Sequence, residues 1–456
     1  MTDVDVVVIG LGPGGETLAG RLAQAGLDVV GVEARLVGGE CPYWACVPTK
    51  MMVRAADALA HARQVRELAG SAQVHPDWAP VAARIRQDAT DDWNDAVAVE
   101  RLQGQGVKVV HGRGRITAPG EVAVTMDGGE QRFRTRRAIV LNPGTDPAVP
   151  PVDGLAGTPH WTNRDAVEAT VVPDSLVVLG GGPVGCEFAQ VFARFGAGVT
   201  VIEMAPRLLP GDEPEAGALL AEVFQREGIT VRAGVTIKRV AHDNGAFTLD
   251  VDGETITGTR LLVAAGRRTD LAALGVGAVG IDEGGKGIAV DERMRAAEGV
   301  WAIGDVTGKG AFTHTSMYQA RIAAADILGE QVEPADYRAM PRVTFTDPEI
   351  GAVGLTESAA RDANLSVRAG IAQLPASARG WIHKIGNDGF VKLVEDTSRG
   401  VLVGATSAGP TGGEVLGALA VAVHAEVPTR RLREMIYAYP TFHRAIEDAL
   451  ENLNGG

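Results

Sequence analysis

Val6-Val7-Val8-Ile9-Gly10-Leu11-Gly12-Pro13-Gly14-Gly15 is a fully apolar strand pattern running straight into a glycine-rich turn. The arrangement recurs where Leu176-Val177-Val178-Leu179 leads into Gly180, Gly182 and Gly185. Gly10, Gly12 and Gly15 are each repeated at a displacement of 170 residues, as are Pro13 at Pro183 and Gly26 at Gly196. Each copy continues into a second strand pattern that closes on an acid, Glu33 or Glu203, 23 residues beyond its first glycine. One G-x-G-x-x-G alone is weak evidence in a chain with 59 glycines, but two copies in matched context are strong.

The pattern is that of a dinucleotide-binding βαβ unit. Its first glycine makes the tight turn, its second admits pyrophosphate to the backbone, and its third lets helix and strand pack closely. The helix N-terminus then offers N–H groups to the anion. Glu33 and Glu203 are placed to accept hydrogen bonds from the hydroxyls of an adenosine ribose. The alternative, two glycine-rich turns that bind nothing, leaves the matched acids unexplained. Two such sites in one chain suggest electron transfer between two cofactors. At the second site Glu203 would repel a 2′-phosphate, which favours NAD(H) over NADP(H), and Arg207 could soften that exclusion.

A chain of 456 residues has room for about three domains at one per ~150 residues. Apolar residues make up 45%, and no stretch approaches the ~20 apolar residues of a membrane helix, so a soluble protein with no membrane partner is expected. Fifty-seven acidic against 43 basic side chains leave a net charge of −14, which argues against nucleic acid as a ligand. The N-terminus enters the first strand without a secretory signal, so the expected location is cytoplasmic.

There are three cysteines, and Cys41 and Cys46 fall in Gly38-Gly39-Glu40-Cys41-Pro42-Tyr43-Trp44-Ala45-Cys46-Val47-Pro48-Thr49-Lys50, ahead of a helix-forming stretch from Met51 to Leu68. A lasting structural disulfide is not expected inside a cell, which leaves catalytic or metal-binding use. On one helix the two sulfurs would be separated by ~7.5 Å of rise, so a bond between them would be distorted and exchangeable. A helix N-terminus also favours the thiolate. Zinc would need further ligands, and Cys186 lies 140 residues on, where it reads as a packing residue, so no metal site is expected.

Together these motifs make the sequence similar, over essentially its whole length, to the flavin-dependent pyridine nucleotide-disulfide oxidoreductases, the group of dihydrolipoamide dehydrogenase, glutathione reductase and mercuric reductase. The resemblance is carried by the two fingerprints, by the segment around Cys41 and Cys46, and by VWAIGD with Gly304 and Asp305. LLVAAGRRTD around Gly266 and PRVTFTDPEIGAVGLTE from 341 to 357 complete it. It implies an α/β chain of two Rossmann-like dinucleotide-binding domains, for FAD and NAD, with a C-terminal α+β dimerisation domain. The expected boundaries are 1–149 with 267–337 for FAD, 150–266 for NAD(P), and 338–456 for the interface of a homodimer. Gly304 and Asp305 would bind the ribityl-phosphate part of FAD. NADH would reduce FAD, and FAD would reduce a Cys41–Cys46 disulfide. Cys46 would be the thiolate beside the flavin and Cys41 the outward thiol. Lys50 matches the family lysine near the flavin, and Glu187 its ion-pair partner.

The chain also departs from the family. Where the family has His-Pro-Thr-x-x-Glu, it reads Tyr439-Pro440-Thr441-Phe442-His443-Arg444, so both members of the acid/base dyad are replaced. Tyrosine, with a reference pKa of about 10, is a poor base at neutral pH. His443, oriented by Glu447 one turn on, is a candidate substitute; a surface histidine on an amphipathic helix is the alternative. No cysteine follows Cys186, so the C-terminal metal relay of mercuric reductases is missing. Tyr43 and Trp44 could stack on a flat acceptor or simply pack, with packing favoured for Trp44. His314, Trp93 and His383 read as structural. Three functions compete. The first is a disulfide-bearing NADH oxidoreductase with an unidentified small-molecule disulfide or other electron acceptor. The second is a quinone or small-oxidant reductase that bypasses the cysteines, and the third is a non-catalytic flavin sensor.

Overall fold

The computed structural model describes residues 1–453, and the chain divides into two compact units. The first comprises residues 1–48, 83–148 and 267–336. Its sheet runs Arg295–Ala297, Val300–Ala302, Gly129–Leu141, Thr2–Ile9, Val29–Glu33, Lys108–His111. Thr2–Ile9 lies parallel to both of its neighbours, with Val7 opposite Val30 on one side and Ile139 on the other. Val6 and Val8 face Leu18, Leu22, Ala320 and Ala323, while Val7 and Ile9 face Ile116, Val124 and Phe133. Both faces of this strand are covered, which is why its sequence is an unbroken apolar run without alternation.

The second unit comprises residues 49–82, 149–266 and 337 onward. Its parallel sheet runs Thr230–Ala233, Gly198–Glu203, Ser175–Leu179, Arg260–Val263. An antiparallel sheet of Ile237–Asp243, Ala246–Val251 and Glu254–Gly258 places Val240, Phe247 and Leu249 against Val177, Leu179 and Val263. The C-terminal part is an antiparallel sheet in the order Pro341–Thr344, Glu349–Gly354, Val401–Gly409, Phe390–Asp396, Val367–Gln373. Helices Gly412–His424 and Ala445–Asn452 cover it, with Leu416, Leu419, Ile446 and Leu450 in the shared core.

The segment after the first fingerprint differs from the sequence reading. The long helix begins at Cys46 and ends at Leu68, rather than beginning at Met51. Glu40–Tyr43 forms a separate turn of helix, and Trp44, at φ −139°, leaves helical geometry between them. Cys41 and Cys46 therefore do not share one helix, and the rise argument does not apply to them. The reason is the mandatory close approach at Gly39, whose φ of +68° redirects the chain beneath Gly12 and starts the short helix early. Among the described residues no helix is long and apolar enough to cross a membrane, and no group of three or more His, Cys, Asp or Glu is arranged to hold a metal ion.

Candidate redox site

The two glycine turns are built alike. A Cβ on Gly10 would overlap the Asn142 carbonyl, and one on Gly180 the Ala264 carbonyl. A Cβ on Gly15 or Gly185 would strike the carbonyl of the first glycine in its own turn. The middle glycine is different: a Cβ on Gly12 would meet only Asn142 Nδ2 at 3.5 Å and Gly39, and one on Gly182 would meet nothing within 4 Å. Turn, open approach and tight packing thus fall in the order that a pyrophosphate cradle requires, at both copies. Helices Pro13–Gln24 and Pro183–Arg194 start immediately behind them.

The acids repeat the same wiring. Glu33 accepts from Leu11 N and Arg35 N, both at 2.8 Å, and Glu203 accepts from Gly181 N at 2.6 Å and Ala205 N at 2.7 Å. These donors are themselves 170 residues apart, which the sequence pattern alone did not reveal because Leu11 and Gly181, Arg35 and Ala205 differ in type. Each carboxylate oxygen keeps a lone pair for a ribose hydroxyl. Burial pushes the Glu33 carboxyl above its usual range, against the pull of the Arg35 and Leu11 N–H groups. Arg207 does not reach toward the ribose acid. Its guanidinium donates to Leu209 O at 3.3 Å and Asp212 O at 2.9 Å, so it is not available to soften the exclusion of a 2′-phosphate.

In the first unit, Gly304 and Asp305 stand at the end of Val300–Ala302. Gly304, at φ +78°, has Asn142 Oδ1 and Ser316 Oγ where its Cβ would be, and Gln319 Oε1 accepts its N–H at 2.6 Å. Asp305 Oδ2 accepts from Thr145 Oγ1 at 2.8 Å, and Arg267 Nε donates to the same hydroxyl at 2.7 Å. Asn142, Thr145, Ser316 and Gln319 were missed in the sequence, where isolated polar residues carry no spacing signal. Gly266 follows the edge strand Arg260–Val263 with φ +116° and open space around it.

Cys41 is partly exposed and Cys46 exposed, the reverse of the outward role that the resemblance gives Cys41. The cause is local. Cys41 belongs to the short helix that Tyr43 pins in place, whereas Cys46 opens the first turn of the long one. Tyr43 is 5% exposed and donates to Val37 O at 3.2 Å, and burial pushes its phenol up to about 12. Tyr43 is therefore the packing residue, and Trp44, only half-buried with its ring 5.8 Å from that of Tyr43, is the one that could meet a flat acceptor. Cys46 Sγ lies 3.4 Å from Thr313 Oγ1, in the first turn of helix Thr313–Leu328. Cys186 is buried against Gly181 O at 3.3 Å, where burial pushes its thiol far up, consistent with a packing role.

In the second unit, Lys50 Nζ donates to Glu187 Oε2 at 2.6 Å and lies 4.7 Å from the centre of the Phe345 ring. Glu187 Oε1 accepts from Phe345 N at 2.9 Å. The same helix face continues through Gln190, which exchanges two 2.8 Å bonds with the Asp347 backbone, to Arg194. Arg194, with 3% of its side chain exposed, pairs with Asp57 at 2.7 Å, Glu227 at 2.6 Å and Asp347 at 2.7 Å. Spacing of three and four residues puts Glu187, Gln190 and Arg194 in one line. They fix the 345–347 segment and hold helix Cys46–Leu68 at two points, Lys50 and Asp57.

The C-terminal segment corrects one expectation. Tyr439 is 69% exposed with Arg444 stacked 5.6 Å from its ring. His443 sits in a short 3-10 turn, Phe442–Arg444, and not on an amphipathic helix. Glu447 pairs with Arg444 at 2.9 Å, so it does not serve as the orienting carboxylate of His443. A permanent cation three residues away along the helix outcompetes a half-buried imidazole for the carboxylate.

A family model described as pyridine nucleotide-disulphide oxidoreductase matches residues 4–320, and the corresponding dimerisation-domain model matches residues 340–450. The chain belongs to this family. Dihydrolipoyl dehydrogenase of Chlorobaculum tepidum is 34% identical over 453 residues, covering 98% of this chain and 96% of that protein. Mercuric reductase of Shewanella putrefaciens is 29% identical over 454 residues, covering 98% and 81%. The Cu(II) complex of the HOCl-induced flavoprotein disulfide reductase RclA from Escherichia coli superposes with a TM-score of 0.87 at 26% identity, covering 99% of each chain. As a pyridine nucleotide-disulphide oxidoreductase the protein is an FAD-dependent, NAD(P)H-linked enzyme acting on sulfur groups, built from two Rossmann-like domains and a dimerisation domain. The last of these supports a homodimer, and it leaves Trp381 and Ile436 79% and 95% exposed in the single chain.

Proposed function

We propose that this family member uses NADH to reduce a Cys41–Cys46 couple that delivers two electrons to a small acceptor other than a simple dithiol pair. Residues 1–149 with 267–337 would hold FAD, 150–266 NAD(H), and 338–456 the dimer interface. The observation that carries the reading is the duplicated cradle joined by one short segment to Cys41 and Cys46. FAD, held by Gly12, Glu33, Gly304 and Asp305, would supply the two-electron relay between nicotinamide and sulfur.

The protein's own groups do the rest. Lys50, kept charged and in place by Glu187, supplies a fixed cation one helical turn beyond Cys46. With a disulfide acceptor, the Cys41 thiolate attacks one sulfur and expels the other as a thiolate. Cys46 then attacks Cys41 in the mixed disulfide, closing the Cys41–Cys46 bond and releasing the second thiolate, and solvent supplies both protons. An exposed phenol at Tyr439 can donate a hydrogen bond to a leaving group but does not replace the family's histidine as base. This favours acceptors with good leaving groups or none, such as aromatic disulfides, quinones or thiophilic metal ions. The Cu(II) bound in the RclA structure makes copper a member of the panel to test.

The test is anaerobic titration of the purified protein with NADH, followed by lipoamide, aromatic disulfides, quinones and Cu(II) in turn. A bound flavin that NADH bleaches, and that one of the latter three reoxidises faster than lipoamide does, is the expected result. Flavin that NADH does not bleach would mark a sensor, and fast lipoamide turnover would refute the acceptor assignment. For the coenzyme, flavin reduction should be at least about tenfold more efficient with NADH than with NADPH, and Glu203→Gln should narrow that ratio about tenfold by removing the like charge. Stopped-flow kcat/KM ratios check this.

A further inference from the structure

The family reading makes Cys46 a sulfur that carries charge, and one feature beside it belongs to no part of that reading. We propose that the Thr313 hydroxyl is the hydrogen-bond donor that holds negative charge on Cys46 rather than on Cys41. This rests on the proposed redox role of the pair and assigns a residue to it. The two heavy atoms are 3.4 Å apart, within reach of an O–H···S bond. A hydroxyl can rotate to donate to a thiolate, an acceptor only, and cannot accept from it. Thr313 is itself fixed, since it opens the sixteen-residue helix Thr313–Leu328, whose Ser316, Ala320 and Ala323 are buried against the first cradle and its core. Cys46 in turn opens a helix of 23 residues. The contact thus joins the first turns of two long helices, and the preference for charge at Cys46 is built into the backbone. Cys41 stands instead beside Glu40, which is shared with Arg267 at 3.5 Å. The other titratable or charged groups along these elements are His314, whose ring stacks on Phe312, and Lys50, paired to Glu187. None of them changes in the variants below.

The test compares Thr313→Val with Thr313→Ser. In the NADH-reduced holoenzyme, the long-wavelength absorbance of a thiolate next to flavin is followed against pH. Loss of a donor disfavours the thiolate, so in Thr313→Val the absorbance should rise at a pH about one unit higher than in the wild type, while Thr313→Ser stays with the wild type. A second readout does not depend on flavin chemistry. In a Cys41→Ser background, the pH midpoint for iodoacetamide alkylation of Cys46, followed by peptide mass, should move the same way by the same amount. Should valine prevent folding, Thr313→Ala decides in its place. Unshifted midpoints in both readouts, or a Ser variant that shifts as far as Val, would overturn the assignment. A colourless protein would defeat the proposed redox function instead, and alkylation would still decide the role of Thr313.

Discussion

Cys46→Ser abolishes turnover with a disulfide acceptor, by about a thousandfold or more, while NADH still bleaches the flavin. Sulfur exchange needs a second thiol to close the ring and release the product, and a serine hydroxyl neither attacks sulfur nor leaves from it. The cradle residues Gly12, Glu33, Gly182 and Glu203 lie elsewhere in the chain and are untouched, so the reductive half of the cycle should survive. Removing Cys41 should cost as much, because the two act as a unit and their losses do not add. Steady-state rates with an aromatic disulfide, set beside single-turnover flavin bleaching, check this. Retained turnover in Cys46→Ser would identify direct transfer from flavin to a quinone-type acceptor.

The largest effect on stability is expected at Arg194. Its guanidinium answers Asp57, Glu227 and Asp347 together at 2.6 to 2.7 Å, deep enough that water does not share the task. Arg194→Leu leaves three carboxylates gathered without a cation, a change that typically costs about 3–5 kcal/mol. Urea denaturation of the wild type and variant at matched pH measures it. The deficit should also depend on pH, with a defined sign. Burial pushes the folded Asp57 carboxyl up to about 6, against the pull of Arg194, from the 3.8 of an unperturbed aspartate. A group whose folded value lies above its unfolded value contributes most below the unfolded value and loses that contribution as pH rises through the folded one. Without the arginine the folded value rises further. The Arg194→Leu deficit should therefore be smaller at pH 5 than at pH 8.

The parts of this fold that were legible in the sequence are those in which chemistry forces a residue type at a fixed interval. Gly10, Gly15, Gly180 and Gly185 sit where any Cβ would collide with a carbonyl, so no other residue can stand there and the 170-residue offset survives as a readable pattern. Paired apolar runs were legible for the same reason. The Arg194 cluster was not, because its partners lie 137, 33 and 153 residues away and each alone resembles a surface charge. Glu447 misled for the complementary reason: its spacing from His443 is correct for a helix turn, but Arg444 holds it. The choice between Tyr43 and Trp44 needed the break at Trp44, which depends on where Gly39 sends the chain.

The duplicated wiring of Glu33 and Glu203 has a pharmacological consequence. Any competitor assembled from adenosine and two phosphates alone would find the same cup twice in each polypeptide and could not choose between them. Selective blockade must therefore come from the rims, where Arg35, Leu36 and Val37 stand at one opening and Ala205, Pro206 and an inward-tied Arg207 at the other.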